Sequence, residues 1–138
     1  MPQTIIRSVE QLVAEASQEV RTLSVAEALD MHGRDDVLFI DLRDVRELAK
    51  TGRIPGARHV PRGLLEFWID PASPYHKPFF AEDRTFVFYC ALDWRSALAT
   101  KAAQDMGLAP VAHLAGGLEA WTAAGGPVEA SKAKPESC

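Results

Sequence analysis

Cysteine is scarce in this chain, with only Cys90 and Cys138 among 138 residues. Two thiols so far apart make no disulfide framework, and no C-x-x-C spacing marks a structural zinc site. Positive charge is also short, with 15 Lys and Arg against 19 Asp and Glu and a net charge of −4. That balance argues against a general affinity for nucleic acid or anionic membrane, since both reward a basic surface. Long apolar runs are missing too, and nothing approaches the ~18 residues of a membrane span. In the first twenty residues Ile5, Val9, Leu12, Val13 and Ala16 recur at helical spacing with acids between them, which is no signal-peptide core. His59, His76 and His113 stand apart without ligand spacing, so the sequence offers no metal site. No internal repeat is present. A reduced, cytoplasmic setting is the expectation.

What is present suits one globular domain: 47% of residues are hydrophobic and 25% charged. Ser8-x-x-Gln11 and Ser24-x-x-Glu27 read as capping boxes opening helices, the second ending at Gly33. "RTL", "VLFIDLR", "ARHV", "TFVFYC" and "VAHLA" read as strands, with "ARHV" short enough for an interior one. "VRELAK", "GLLEFWID", "WRSALATKAAQDM" and "GLEAWTAAG" read as helices. Prolines 71, 74 and 78 make "DPASPYHKPFFAED" a loop, open to roles as a lid, a dimer contact or a packed Ω-loop. Strands alternating with helices imply a mostly parallel five-stranded α/β sheet with helices on both faces. Residues 1–20 form an N-terminal helical extension, 21–128 the domain and 129–138 a disordered tail.

Cys90 closes a central-looking strand just before a helix, where parallel sheets place their working sites. Backbone N–H groups of such a loop and of the first helical turn form an anion cradle that favours a thiolate. Arg95 adds a permanent charge and a bidentate fork for oxyanions, and Ser96 a hydroxyl donor. Two readings stay open on these grounds: a nucleophilic thiolate facing an anion, or a buried cysteine that merely packs.

"CALDWRS" resembles the active-site loop of single-domain rhodaneses, C-x-x-x-x-R followed by Ser or Thr. "VLFIDLRDVRELAKTGRIPGARHVP" and "HLAGGLEAWTAAGGPV" resemble two further signatures of that family, in order, and the likeness spans about residues 20 to 128. The resemblance implies a sulfurtransferase. Cys90 would take a sulfane sulfur from thiosulfate, a related anion or a low-molecular-weight persulfide. The loop Ala91, Leu92, Asp93, Trp94, Arg95 and Ser96 would hold the persulfide, and cyanide or a small or protein thiol would accept the sulfur. It implies no metal or organic cofactor. Asp41, Arg43 and Glu47 match its first signature and would form an ion-pair and capping network beneath the loop. The alternatives are a non-catalytic binding or redox-sensing module and, further off, arsenate reduction. Related protein phosphatases use C-x5-R, a wider cradle than the C-x4-R here.

Asp93 departs from the family pattern, which commonly has glycine there. It is expected to cap the helix by accepting from Ser96 N–H, or to occupy a positive-φ position. Its charge near Cys90 opposes thiolate formation and repels thiosulfate. Trp94 either walls the pocket or packs. Arg62 is a candidate for the pocket rim and Arg58 for the solvated surface. Gly116 and Gly117 supply flexible backbone at the start of the last helix. Cys138 either resolves a persulfide from the tail or has no role. A monomer and a homodimer are both compatible with the sequence.

Overall fold

The computed structural model describes residues 2–131. Five strands, β1 (Arg21–Leu23), β2 (Val37–Asp41), β3 (Arg58–His59), β4 (Thr85–Tyr89) and β5 (Val111–Leu114), form one sheet in the order β1-β5-β4-β2-β3. Every pairing in it is parallel. The expected α/β architecture is therefore present, and β4, which leads to Cys90, is the middle strand.

The unbroken apolar runs of β2 and β4 follow from burial on both faces, because successive side chains of a strand point to opposite sides. Leu38, Ile40, Phe86 and Phe88 pack on one face with Leu65, Trp68 and Ile69 of α4 (Leu65–Ile69) and Ala99 and Ala103 of α5 (Trp94–Asp105). Val37, Phe39, Val87 and Tyr89 pack on the other with Ala28 of α2 (Val25–Met31) and Leu118 and Trp121 of α6 (Gly117–Ala123). On its face toward the sheet α5 carries Ser96, Ala99, Thr100 and Ala103, small residues that let the helix lie close. Its far side receives α1 (Val9–Glu19), whose Val13 and Ala16 meet Ala97.

The caps follow their sequence signals. Ser24 and Glu27 complete a reciprocal box, whereas Ser8 makes the forward half by accepting from Gln11 N–H. "ARHV" corrects an expectation: it gives a two-residue edge strand, not an interior one, pairing with β2 alone. A short edge ended by proline presents little open ladder to another chain. In the proline loop Phe80 is buried against Phe86, and Lys77 N–H and His76 Nδ1 both bond Trp68 O, so the loop is packed onto the core. Of the tail, Glu129 exchanges two backbone bonds with Arg53 in an antiparallel bridge. The tail's remainder from 132, with Cys138, lies outside the described residues.

Candidate active site

Cys90 is buried, at 2% exposure, directly after β4, and Ala91–Asp93 turn the chain into α5. The stretch Cys90–Arg95 lines an open depression of about 320 Å³. Among the described residues, no oxygen accepts from the backbone N–H groups of Ala91 through Arg95. The loop's carbonyls, by contrast, are engaged. Leu118 N–H donates to Cys90 O at 2.9 Å and Glu119 N–H to Ala91 O at 3.2 Å. The first turn of α6 thus holds two carbonyls of the loop, whose amides stay uncommitted.

Gly116 and Gly117 make this approach feasible. Both have positive φ, 76° and 58°, and a Cβ on Gly117 would lie 2.4 Å from Cys90 O. The paired glycines are therefore required by close approach as well as by turn conformation.

Asp93 occupies the N-cap position of α5 but does not cap it, correcting the expectation that it accepts from Ser96 N–H. Its Oδ1 accepts from Gly116 N–H at 2.7 Å, tying the cysteine loop to the turn before α6. Its φ of −131° is not left-handed either. The loop draws its carboxylate across to a neighbouring turn, a partner invisible to a local capping rule.

Arg95 is not a free fork. Its Nη1 and Nη2 bond Glu47 Oε1 and Oε2 at 2.7 and 3.0 Å. The pair pulls the Glu47 carboxyl below its ordinary range and raises Arg95. The clamp is consequently intact at neutral pH and opens only as pH falls through that lowered carboxyl value. Glu47 belongs to α3 (Val45–Thr51), where it also completes a capping box with Asp44. Arg95 acts on the depression through its charge, positioned from below by α3.

Asp41 and Arg43 form a second, wholly buried pair. Arg43 Nε and Nη2 reach Asp41 Oδ1 and Oδ2 at 3.0 and 2.7 Å, and Arg43 also bonds Thr51 Oγ1 and Gly52 O. Burial opposes the Arg43 charge, but the Asp41 carboxylate outweighs it and holds the guanidinium charged. This pair joins the end of β2 to the C-terminal end of α3, and the Arg95–Glu47 pair joins α3 to the start of α5. Arg62 is a correction: it is engaged with Glu66 one turn on and does not line the depression. Arg58 lies over the Phe79 ring. Trp94 is 49% exposed and Leu92 53%, and both line the depression.

Sequence reasoning set His113 aside, yet it is buried on β5 beside the thiol's neighbour Ser96, which lies 3.6 Å from Cys90 Sγ. The available signal was a polar residue inside the apolar strand "VAHL". A larger groove of about 760 Å³ also went unread. It runs between α3 and α6, with Lys50, Leu118, Glu119 and Val128 in its walls, and meets the cysteine loop at Ala91.

A central parallel strand, a cysteine at its carboxyl end and a following loop of uncommitted amides define an α/β domain with a thiol-centred site. The rhodanese-like domain family matches residues 24–124, and the chain belongs to it. The human thiosulfate:glutathione sulfurtransferase is 31% identical over 107 residues, covering 72% of this chain and 91% of that protein. A mouse thiosulfate sulfurtransferase/rhodanese-like domain-containing protein is 29% identical, and the match spans 74% of this chain and 66% of its length. In structure the chain is similar to a Rhodopseudomonas palustris protein of unknown function, described as a possible tyrosine phosphatase. That likeness has a TM-score of 0.91 and 56% identity, covering 94% of this chain and 99% of the other. Sulfur transfer is thus named for two of these three proteins.

Proposed function

We propose that the protein is a sulfurtransferase working through a Cys90 persulfide. The observation that carries this is the row of uncommitted N–H groups from Ala91 to Arg95 around one buried thiol. In the first half-reaction the Cys90 thiolate attacks the outer sulfur of a donor such as thiosulfate. A new S–S bond forms, the donor's S–S bond breaks, and sulfite leaves with the electron pair. The loop amides and the Arg95 charge stabilise the anionic persulfide. In the second half-reaction a nucleophile takes the terminal sulfur and Cys90 returns as thiolate.

The human relative's name supports a small thiol of the glutathione class as acceptor. The groove meeting the loop at Ala91 offers it a lodging, with Lys50 and Glu119 for opposite charges. The test is thiocyanate formation from thiosulfate and cyanide. The wild-type protein turns over and Cys90→Ser does not; equal rates would sink the proposal.

Asp93 makes thiosulfate a poor donor, because its carboxylate stands in the loop that must receive a dianion. A neutral, cationic or protein-bound donor suits the site better. Asp93→Asn keeps an oxygen for Gly116 N–H while removing the charge. Thiosulfate turnover is expected to rise by several-fold to about ten-fold in that variant. An unchanged or lower rate would show that the charge is not what limits the donor.

The description of the Rhodopseudomonas palustris protein raises phosphoester hydrolysis as a second reading. Four residues between Cys90 and Arg95 make a narrower loop than C-x5-R, and Arg95 is committed to Glu47. An aryl phosphate is therefore expected to remain unhydrolysed, as a release assay for the phenol would show.

A further inference from the structure

The protein has four histidines. Three of them each bond a backbone carbonyl: His32 Nε2 to Pro55 O, His59 Nε2 to Arg43 O and His76 Nδ1 to Trp68 O. A carbonyl accepts only, so each of these rings has a fixed protonated nitrogen. His113 differs. It is 3% exposed, lies in register between Thr22 of β1 and Phe88 of β4, and meets a hydroxyl at each nitrogen. Nδ1 is 3.1 Å from Ser96 Oγ and Nε2 is 3.1 Å from Thr22 Oγ1. Hydroxyls both donate and accept, so this ring alone can exchange tautomers without losing either bond. Burial lowers its pKa, partly countered by the Asp93 charge, so at neutral pH it stands as the neutral imidazole such an exchange requires.

The Ser96 hydroxyl has one hydrogen and three neighbours that can take it: Cys90 Sγ at 3.6 Å, Asp93 O at 3.1 Å and His113 Nδ1. When Nδ1 is bare, it draws that hydrogen, and Ser96 Oγ accepts from the Cys90 thiol. When Nδ1 carries a proton, it donates to Ser96 Oγ, and the Ser96 hydrogen turns to Cys90. A thiolate then wins over the neutral Asp93 carbonyl, since charge-assisted bonds are the stronger.

We propose that His113 is a positioning residue that sets the direction of the Ser96 hydroxyl and so stabilises the Cys90 thiolate, by a path leading from the buried thiol to the surface. In the thiol state the bonds run S–H to Ser96, Ser96 O–H to Nδ1 and Nε2–H to Thr22. In the thiolate state each is reversed: Thr22 O–H donates to Nε2, Nδ1–H to Ser96 and Ser96 O–H to sulfur. Between the two, one proton moves across each bond and one leaves from Thr22, which is exposed and can hand it to water. No oxidant or reductant is involved. The inference rests on the proposed sulfur transfer for its purpose, but not for its test.

The test is the pH profile of Cys90 alkylation by iodoacetamide, followed on the Cys90 peptide by mass spectrometry so that Cys138 does not contribute. The charged groups near Cys90 and His113 are Arg95 of α5, which acts on the thiol and is held by Glu47 of α3, and Asp93 of the loop, which acts on the imidazole. All three stay in place in every variant. His113→Leu and Ser96→Ala are each expected to raise the midpoint by about one pH unit, slowing alkylation near pH 7 about ten-fold. The double variant shifts no further than the larger single, because both act along one path. His113→Gln retains an N–H for Ser96 and recovers most of the shift, which a merely structural histidine would not require. If the leucine variant fails to melt cooperatively, Ser96→Ala with and without His113→Gln carries the same comparison. Midpoints unmoved, or single shifts that add, would overturn the proposal. The readout uses no sulfur donor, so failed sulfur transfer and a failed relay give different results.

Discussion

Gly117→Ala lowers sulfur-transfer turnover by about 100-fold or more, the scale at which ångström displacements of reacting groups act. The added Cβ would stand 2.4 Å from Cys90 O, 2.5 Å from Leu92 O and 2.7 Å from Ala91 C. All three are backbone atoms of the cysteine loop, so no side chain can swing aside. The variant must either push the loop away or pull the start of α6 back, and each course breaks the bonds from Leu118 and Glu119 N–H to the loop carbonyls. Gly125 is the control. Its φ is also positive, at 83°, but a Cβ there meets nothing within 4 Å. Gly125→Ala thus imposes the same kind of backbone strain, about 1 kcal/mol, without touching the loop. Turnover within two-fold of wild type for Gly117→Ala, measured as initial rate on folded protein, would contradict the clamp.

Arg43→Met is expected to cost about 3–5 kcal/mol of stability, because Asp41 would remain buried as an unpaired charge. Two further hydrogen bonds, which the guanidinium donates to Thr51 Oγ1 and Gly52 O, vanish with it, loosening the far end of α3. The melting midpoint should fall by on the order of 10 °C. Replacing both partners, as in Asp41→Leu with Arg43→Met, should recover a substantial part, since two apolar side chains leave no orphan charge. Calorimetry of the three proteins decides the matter. A single variant that melts with the wild type would mean that the pair contributes little beyond packing.

Much of this was legible in the sequence because its causes are local or periodic. Continuous apolar runs in Val37–Asp41 and Thr85–Tyr89 announce strands buried on both faces, and Ser24 with Glu27 announces a cap three residues wide. The chemistry of Cys90 was legible from its place between a strand and a helix. What escaped depends on which distant segments meet. Asp93 looks like a helix cap in sequence, but the turn at Gly116, 23 residues on, competes for its carboxylate and wins. Arg95 looks free until α3 brings Glu47 from 48 residues away. His113 looks isolated because its partners, Thr22 and Ser96, are contributed by another strand and by α5. Strand "ARHV" looks interior because its brevity was visible and its neighbours were not.

The central claim is that Cys90 accepts a sulfur atom, and intact-mass spectrometry tests it most directly. The protein is incubated with thiosulfate and, separately, with glutathione persulfide as a donor less repelled by Asp93, beside a Cys90→Ser control. The account predicts a gain of one sulfur atom in the protein carrying Cys90, reversed by cyanide and absent from the control. A folded protein whose mass is unchanged by both donors, or a control that gains the sulfur equally, would contradict it and leave a binding module in its place.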